Sequence, residues 1–144
     1  MKFFARGLVV VCFAALSLGA GAQQYFSYSG VTRVVRLRIL PGKTSEFYQY
    51  LGDVNKILTA EKAAGLIVDF GFAHTINYEG PEKYDVAIVI DYKDMATFDT
   101  LSDKTDPVVA KVYGTPEARA AAGKLAAETS EVVGSELVRG IKLK

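Results

Sequence analysis

Tryptophan is absent, histidine occurs once, and the one cysteine, Cys12, lies in an apolar N-terminal run rather than in the body of the chain. Each shortage removes a class of chemistry. With no cysteine beyond residue 12, disulfides cannot stabilise the body, so a hydrophobic core must do so. One imidazole and no thiolate leave carboxylates as the only further ligands, a poor match for zinc or copper, and no tightly bound metal or cofactor is expected. Also missing are G-x-G-x-x-G, G-x-x-x-x-G-K-[ST], H-E-x-x-H and G-x-S-x-G, which removes the usual signals of nucleotide, zinc-protease and α/β-hydrolase chemistry.

No apolar run is long enough for a membrane-spanning helix, which needs about 20 residues. The longest, Leu8 to Leu18, follows Lys2 and Arg6 and precedes Ala20-Gly21-Ala22, the small-x-small pattern of a cleavable export signal. Cleavage after Ala22 would leave a soluble periplasmic or secreted product. Cys12 is not placed as a lipid-anchored terminus, and a single arginine before the run does not make a twin-arginine signal. The leader holds two of the 17 Lys and Arg and none of the 16 Asp and Glu, so the mature chain carries a net charge of −1. That balance gives no reason to expect nucleic acid as a partner, and no membrane association is expected after cleavage.

What remains reads as residues 1–22 signal peptide, 23–30 an aromatic, uncharged arm, and 31–144 a single domain. The arm could be a short extra strand or a flexible start. From Val31 to Leu40, Val35, Leu37 and Ile39 alternate with Val34, Arg36 and Arg38, the period of a two-faced strand ended by Pro41-Gly42. Phe47, Leu51, Val54 and Leu58 then mark a helix from about Lys43 to Ala64, capped by Gly65. Leu66 to Tyr78 and Tyr84 to Tyr92 alternate again and suggest a hairpin. Val35, Leu37, Phe70, Phe72, Ile88 and Ile90 form the expected core face.

Met95, Phe98 and Leu101 open a helical region that restarts at Asp106-Pro107 and at Thr115-Pro116, each an N-cap followed by proline. The last helix presents Ala118, Ala121, Leu125, Thr129 and Val132 and ends at Gly134. A strand from about Ser135 to Leu143 follows, with Leu137, Ile141 and Leu143 on one face. The order is α+β, a ferredoxin-like β-α-β-β-α-β arrangement with a four-stranded mixed or antiparallel sheet and helices on one face.

The succession of a strand, Pro41-Gly42-Lys43, a helix carrying Phe47, Gly65 and a long strand resembles the dimeric α/β-barrel superfamily, which includes antibiotic-biosynthesis-monooxygenase-like and stress-responsive barrel domains. Gly134 to Arg139, Ser102-Asp103 and Asp106-Pro107 are similar to uncharacterised exported bacterial members. The resemblance implies a dimer whose sheets face one another. It also spans cofactor-free monooxygenases, isomerases and haem-degrading enzymes, the last using a tryptophan this chain lacks. No catalytic residue matches position by position.

His74 is the candidate general base, as the only side chain that ordinarily titrates near neutrality. Its place beside Phe70, Phe72 and Ile76 reads better as a core-edge histidine bonded to a carbonyl. The polar sheet face gathers Arg36, Arg38, Asp69, Thr75, Asn77, Asp91, Glu136 and Lys142. Of these, Arg36, Arg38, Asp69, Asn77 and Asp91 are the candidate ligand-binding set. In a closed barrel the arginines must meet Asp69, Asp91, Glu136 or an acidic or phenolic ligand, because an unpaired buried charge costs several kcal/mol. Tyr48, Tyr50, Tyr78, Tyr84 and Tyr92 could line a cavity.

Two readings follow: a non-catalytic homodimer that holds a small organic ligand, and a cofactor-free monooxygenase or isomerase. The leader reading has a direct check. Intact-mass analysis of the exported protein should place the N-terminus at Gln23, and a soluble product retaining Met1 would refute it.

Overall fold

Alternation between apolar and polar residues builds the sheet, and its register shows which face each strand buries. The structure, a computed structural model, describes residues 25–77, 79–81 and 83–144, so the segment 1–22 expected to be an export leader and Tyr78 lie outside the described residues. The elements are β1 (Phe26–Ile39), α1 (Thr44–Ala63), β2 (Asp69–His74), β3 (Val86–Tyr92), α2 (Met95–Asp99), α3 (Leu101–Tyr113), α4 (Pro116–Thr129) and β4 (Ser130–Leu143).

The strands lie in the order β2-β3-β1-β4, with β1 and β2 both antiparallel to β3. Leu40 N–H donates to Thr129 O at 2.9 Å, and Arg36, earlier on β1, meets Glu136, later on β4, so that pair runs antiparallel too. This is the ferredoxin-like order, with each helical crossover joining strands that are not neighbours.

The described chain falls into two units. In the larger, Ser29–Gly140, the buried cluster is Val31, Leu37, Phe47, Leu58, Ile67, Val86, Ile88 and Tyr92. Its strand members share one face, since Leu37 pairs with Val86 and Val31 with Tyr92. Phe47 and Leu58 bring α1 onto that face. In the smaller unit, residues 25–28 with 141–144, Lys144 N–H donates to Tyr25 O at 3.0 Å, and the rings of Phe26 and Tyr28 meet edge to face at 5.3 Å.

The helix ends follow local chemistry. Gly65, at φ 71°, adopts the left-handed turn that lets its N–H reach Lys62 O and Leu66 N–H reach Glu61 O, both at 3.0 Å, which closes α1 in a Schellman motif. Thr115 caps α4 through Ala118 N–H at 3.2 Å, with Pro116 in the first turn as expected.

Four expectations need correction. Residues 26–30 belong to β1 itself, so the described part of the arm is neither a separate strand nor a loose start. Pro107 lies inside α3 instead of opening a helix. The carbonyl that its missing N–H would have bonded belongs to exposed Asp103, where water can serve instead. β4 starts at Ser130 rather than near Ser135, so Val132 and Gly134 are strand residues, and Leu137, Ile141 and Leu143 are all exposed on this edge strand.

The fourth correction concerns β2, which begins at Asp69 and is only six residues long. Ile67 is buried in the connection before it while Val68 is exposed. Being the other edge, β2 leaves Phe72 37 % exposed and ends before Ile76, which is 99 % exposed in the connection beyond, whereas Leu37 and Ile88 are buried and Val35, Phe70 and Ile90 are half-buried as the core face requires.

Phe47 is fully buried between α1 and the sheet. Phe47→Ala should therefore cost about 3–5 kcal/mol of stability in denaturant unfolding. A loss below about 1 kcal/mol would mean that α1 does not cover this face.

Candidate functional site

Opposite the core, the register lines up side chains in rows across β1, β3 and β2. Thr32, Asp91 and Asp69 form one row, Val34, Val89 and Gly71 the next, and Arg36, Ala87 and Ala73 the third. Arg38 follows on β1. The face thus has carboxylates at one end, small apolar residues in the middle and arginines at the other end. Val34 and Val89 are half-buried.

The predicted charged residues are brought onto this face but are answered within the chain. Arg36 bonds Glu136, as expected, and its guanidinium lies over the Tyr84 ring at 5.6 Å. The Glu136 hydrogen bond holds the Arg36 pKa above its ordinary value. Arg38 meets Glu131 at 2.7 Å and donates through Nε to Lys83 O at 3.1 Å. Asp69 and Asp91 do not reach the arginines. Asp69 pairs with Lys62 at 2.7 Å and accepts from Phe70 N–H at 2.9 Å, and the Lys62 bond, followed by the Phe70 N–H, lowers its pKa. Asp91 accepts from the Thr32 hydroxyl.

Asn77, expected on this face, does not join it, and His74, expected at the core edge, is not held there. His74 pairs with Val86 at the end of β2 and Asn77 lies in the connection beyond, five residues and more from Asp69. His74 is exposed rather than held at the core edge, because the edge strand stops there, and among the described residues no carbonyl bonds its ring. Of the candidate tyrosines, Tyr50 and Tyr92 are enclosed by the core, Tyr48 is exposed, and Tyr84 is held beneath Arg36.

One buried carboxyl had not been singled out. Glu61 continues the α1 stripe of Phe47, Leu51, Val54 and Leu58 at the next i+3 position and is only 7 % exposed. Burial pushes its pKa up. It faces Tyr92, whose phenol is itself raised chiefly by burial, with Arg33 acting to lower it and Glu61 to raise it. The signal lay in the helical period, which put a carboxylate where an apolar residue belongs. Among the described residues no cluster of three or more His, Cys, Asp or Glu could hold a metal ion.

Comparison with known proteins agrees with the fold. The chain is similar to a protein of Shewanella oneidensis at 12 % identity and a TM-score of 0.52, covering 81 % of this chain and 97 % of that one. It also resembles a dabb family protein with a ferredoxin-like fold from Mesorhizobium loti, at 14 % identity and TM-score 0.48, over 81 % and 97 % of the two chains. A third is described as a dimeric ferredoxin-like protein of unknown function from Thermobifida fusca, at 18 % identity and TM-score 0.45, over 81 % and 93 %. No protein-family model and no curated protein matches the chain.

Glu61 supplies a pH prediction. Its folded pKa lies above the ordinary 4.5, so the protonated form is the favoured one, and the stability it lends is complete below 4.5 and is lost as pH rises through the folded value. Glu61→Gln should raise Tm at pH 7, and the gain should vanish as the pH falls below 4.5. An equal change at both pH values, or a loss at pH 7, would show that the carboxylate is stabilising as it stands.

Proposed function

We propose that this chain is an exported, non-catalytic homodimeric domain whose helix-free sheet faces close on one another, and which holds a small acidic or phenolic organic molecule. The observation that carries the dimer is the central row of Val34, Val89 and Gly71, with Ala73 beside it, on a face that no helix covers. Apolar area of this kind gains about 25 cal/mol per Å² when removed from water.

The charged rows at either end favour such closure, because Arg36, Arg38 and Asp69 each have an ion-pair partner on their own chain and Asp91 accepts a hydrogen bond from the Thr32 hydroxyl. Burying a charge that is already paired costs far less than burying a lone one. Sheet-on-sheet closure would also use the face that a four-stranded sheet with one helical layer leaves open.

Light scattering on the mature chain should give twice the monomer mass. Replacing both Val34 and Val89 by Asp should give a folded monomer, since four carboxylates would then meet at the centre of the interface. A monomeric wild type, or a double variant that stays dimeric, would overturn the reading.

A further inference from the structure

The sheet face spends its charges internally, whereas among the described residues of the connection between β2 and β3 the Lys83 ammonium has no ion-pair partner. We propose that the mouth of this hairpin is the binding site for a small organic monocarboxylate. The inference rests on the ligand half of the reading above and is independent of the dimer, because every lining residue comes from one stretch of one chain.

A cavity of about 390 Å³ is lined by His74, Thr75, Ile76, Asn77, Lys83, Tyr84 and Asp85. That lies within the roughly 300–1,000 Å³ typical of small-molecule sites. Five of the seven carry side-chain donors: the imidazole, the Thr75 and Tyr84 hydroxyls, the Asn77 amide and the Lys83 ammonium. Among the described residues, nothing meets the His74 ring, the Thr75 hydroxyl, the Asn77 amide or the Lys83 ammonium within hydrogen-bonding distance. Such a surplus of donors suits an oxyanion.

The walls are held in place. Thr75 N–H donates to Asp85 O at 2.8 Å, Asp85 N–H to Leu37 O at 2.9 Å, and Arg38 Nε to Lys83 O at 3.1 Å. Among the described residues of the lining, Asp85 is the only acceptor-only side chain, and its Oδ2 is taken by Ile39 N–H at 2.8 Å. The carboxylate is thereby tied to β1, which limits its repulsion of an anion. Among the described lining residues it leaves Lys83 as the single fixed cation, which matches one negative charge better than two.

An apolar body has surface to rest on. Ile76 is 99 % exposed, and the Tyr84 ring is kept in position by Arg36 stacked over it. An exposed isoleucine beside a donor cluster fits a ligand with a hydrophobic part and an acidic end.

The test uses the ¹⁵N-labelled mature chain, with amide shifts followed during titration with sodium benzoate and, separately, with inorganic phosphate. Saturable benzoate shifts should centre on residues 74–77 and 83–85. The Lys83→Met, His74→Gln double variant should bind at least tenfold more weakly, and both sites are exposed, so folding is not at stake. The double variant Arg36→Ala, Arg38→Ala is the companion. Benzoate binding lost there but intact in the Lys83, His74 variant would refute this site while leaving a ligand on the sheet face. No saturable shift with benzoate would refute both this site and the ligand reading. Phosphate binding as tightly as benzoate would refute the carboxylate class.

Discussion

The pairing of β1 with β3 is the constraint on which the rest of the molecule depends. Seven register pairs, from Val31 with Tyr92 to Leu37 with Val86, fix which side chains of the two central strands meet the helices. Because side chains alternate with a period of two, a slip of one residue would carry Arg36 and Arg38 under Phe47 and push Leu37 outward. Buried without Glu136 and Glu131, those guanidinium groups would cost several kcal/mol. The turn after β1 supports the correct register. Gly42 takes φ 75° and Lys43 N–H returns to Leu40 O at 3.0 Å, so the chain leaves the strand at one defined place.

The helical layer follows from that choice of face. α1 lays Phe47, Leu58 and the half-buried Leu51 and Val54 on the strands, and its Schellman turn then delivers Ile67 into the core and Asp69 to the start of β2. The same geometry buries Glu61. A stripe at the helical period admits no exception in direction, so the carboxyl goes where its position sends it, and its raised pKa is the result. α3 and α4 pack on α1, and the alanine-rich α4 contributes Ala122 and Thr129 as its buried residues.

Much of this was legible in the chain, and the failures have physical causes. The period-two segments of β1 and β3 and the period-3.6 stripe of α1 are long and two-faced, and their core positions are the ones the structure buries. The edge strands are different. β2 and β4 have a neighbour on one side only, so alternation there does not ensure burial, and Phe72, Leu137, Ile141 and Leu143 are exposed despite sitting in plausible patterns, as is Ile76 just beyond the end of β2. The sequence Ser130-Glu131-Val132-Val133 extends an apolar helical stripe as readily as it starts a strand. Reading it as helix hid Glu131, which is why the partner of Arg38 could not be found among the expected carboxylates. Pro107 misled in the same way, because proline marks a first turn by frequency and not by necessity.

The placement of the candidate residues also separates two roles that the sequence had joined. Arg36, Arg38, Asp69 and Asp91 share a face, yet the first three are ion-paired on their own chain and Asp91 accepts from the Thr32 hydroxyl, so each has a partner before any ligand arrives. His74 and Asn77 sit at the hairpin mouth with Thr75 and Lys83, where among the described lining residues donors outnumber acceptors and the one carboxylate, Asp85, is turned toward β1. A paired charge gains little from an incoming anion, because the new contact must replace an existing one. A donor that has only water to give up gains more. The sheet face is thus suited to burial against another surface, while the hairpin mouth is suited to recognition, and Arg36 connects them by bonding Glu136 on the face and covering Tyr84 at the mouth.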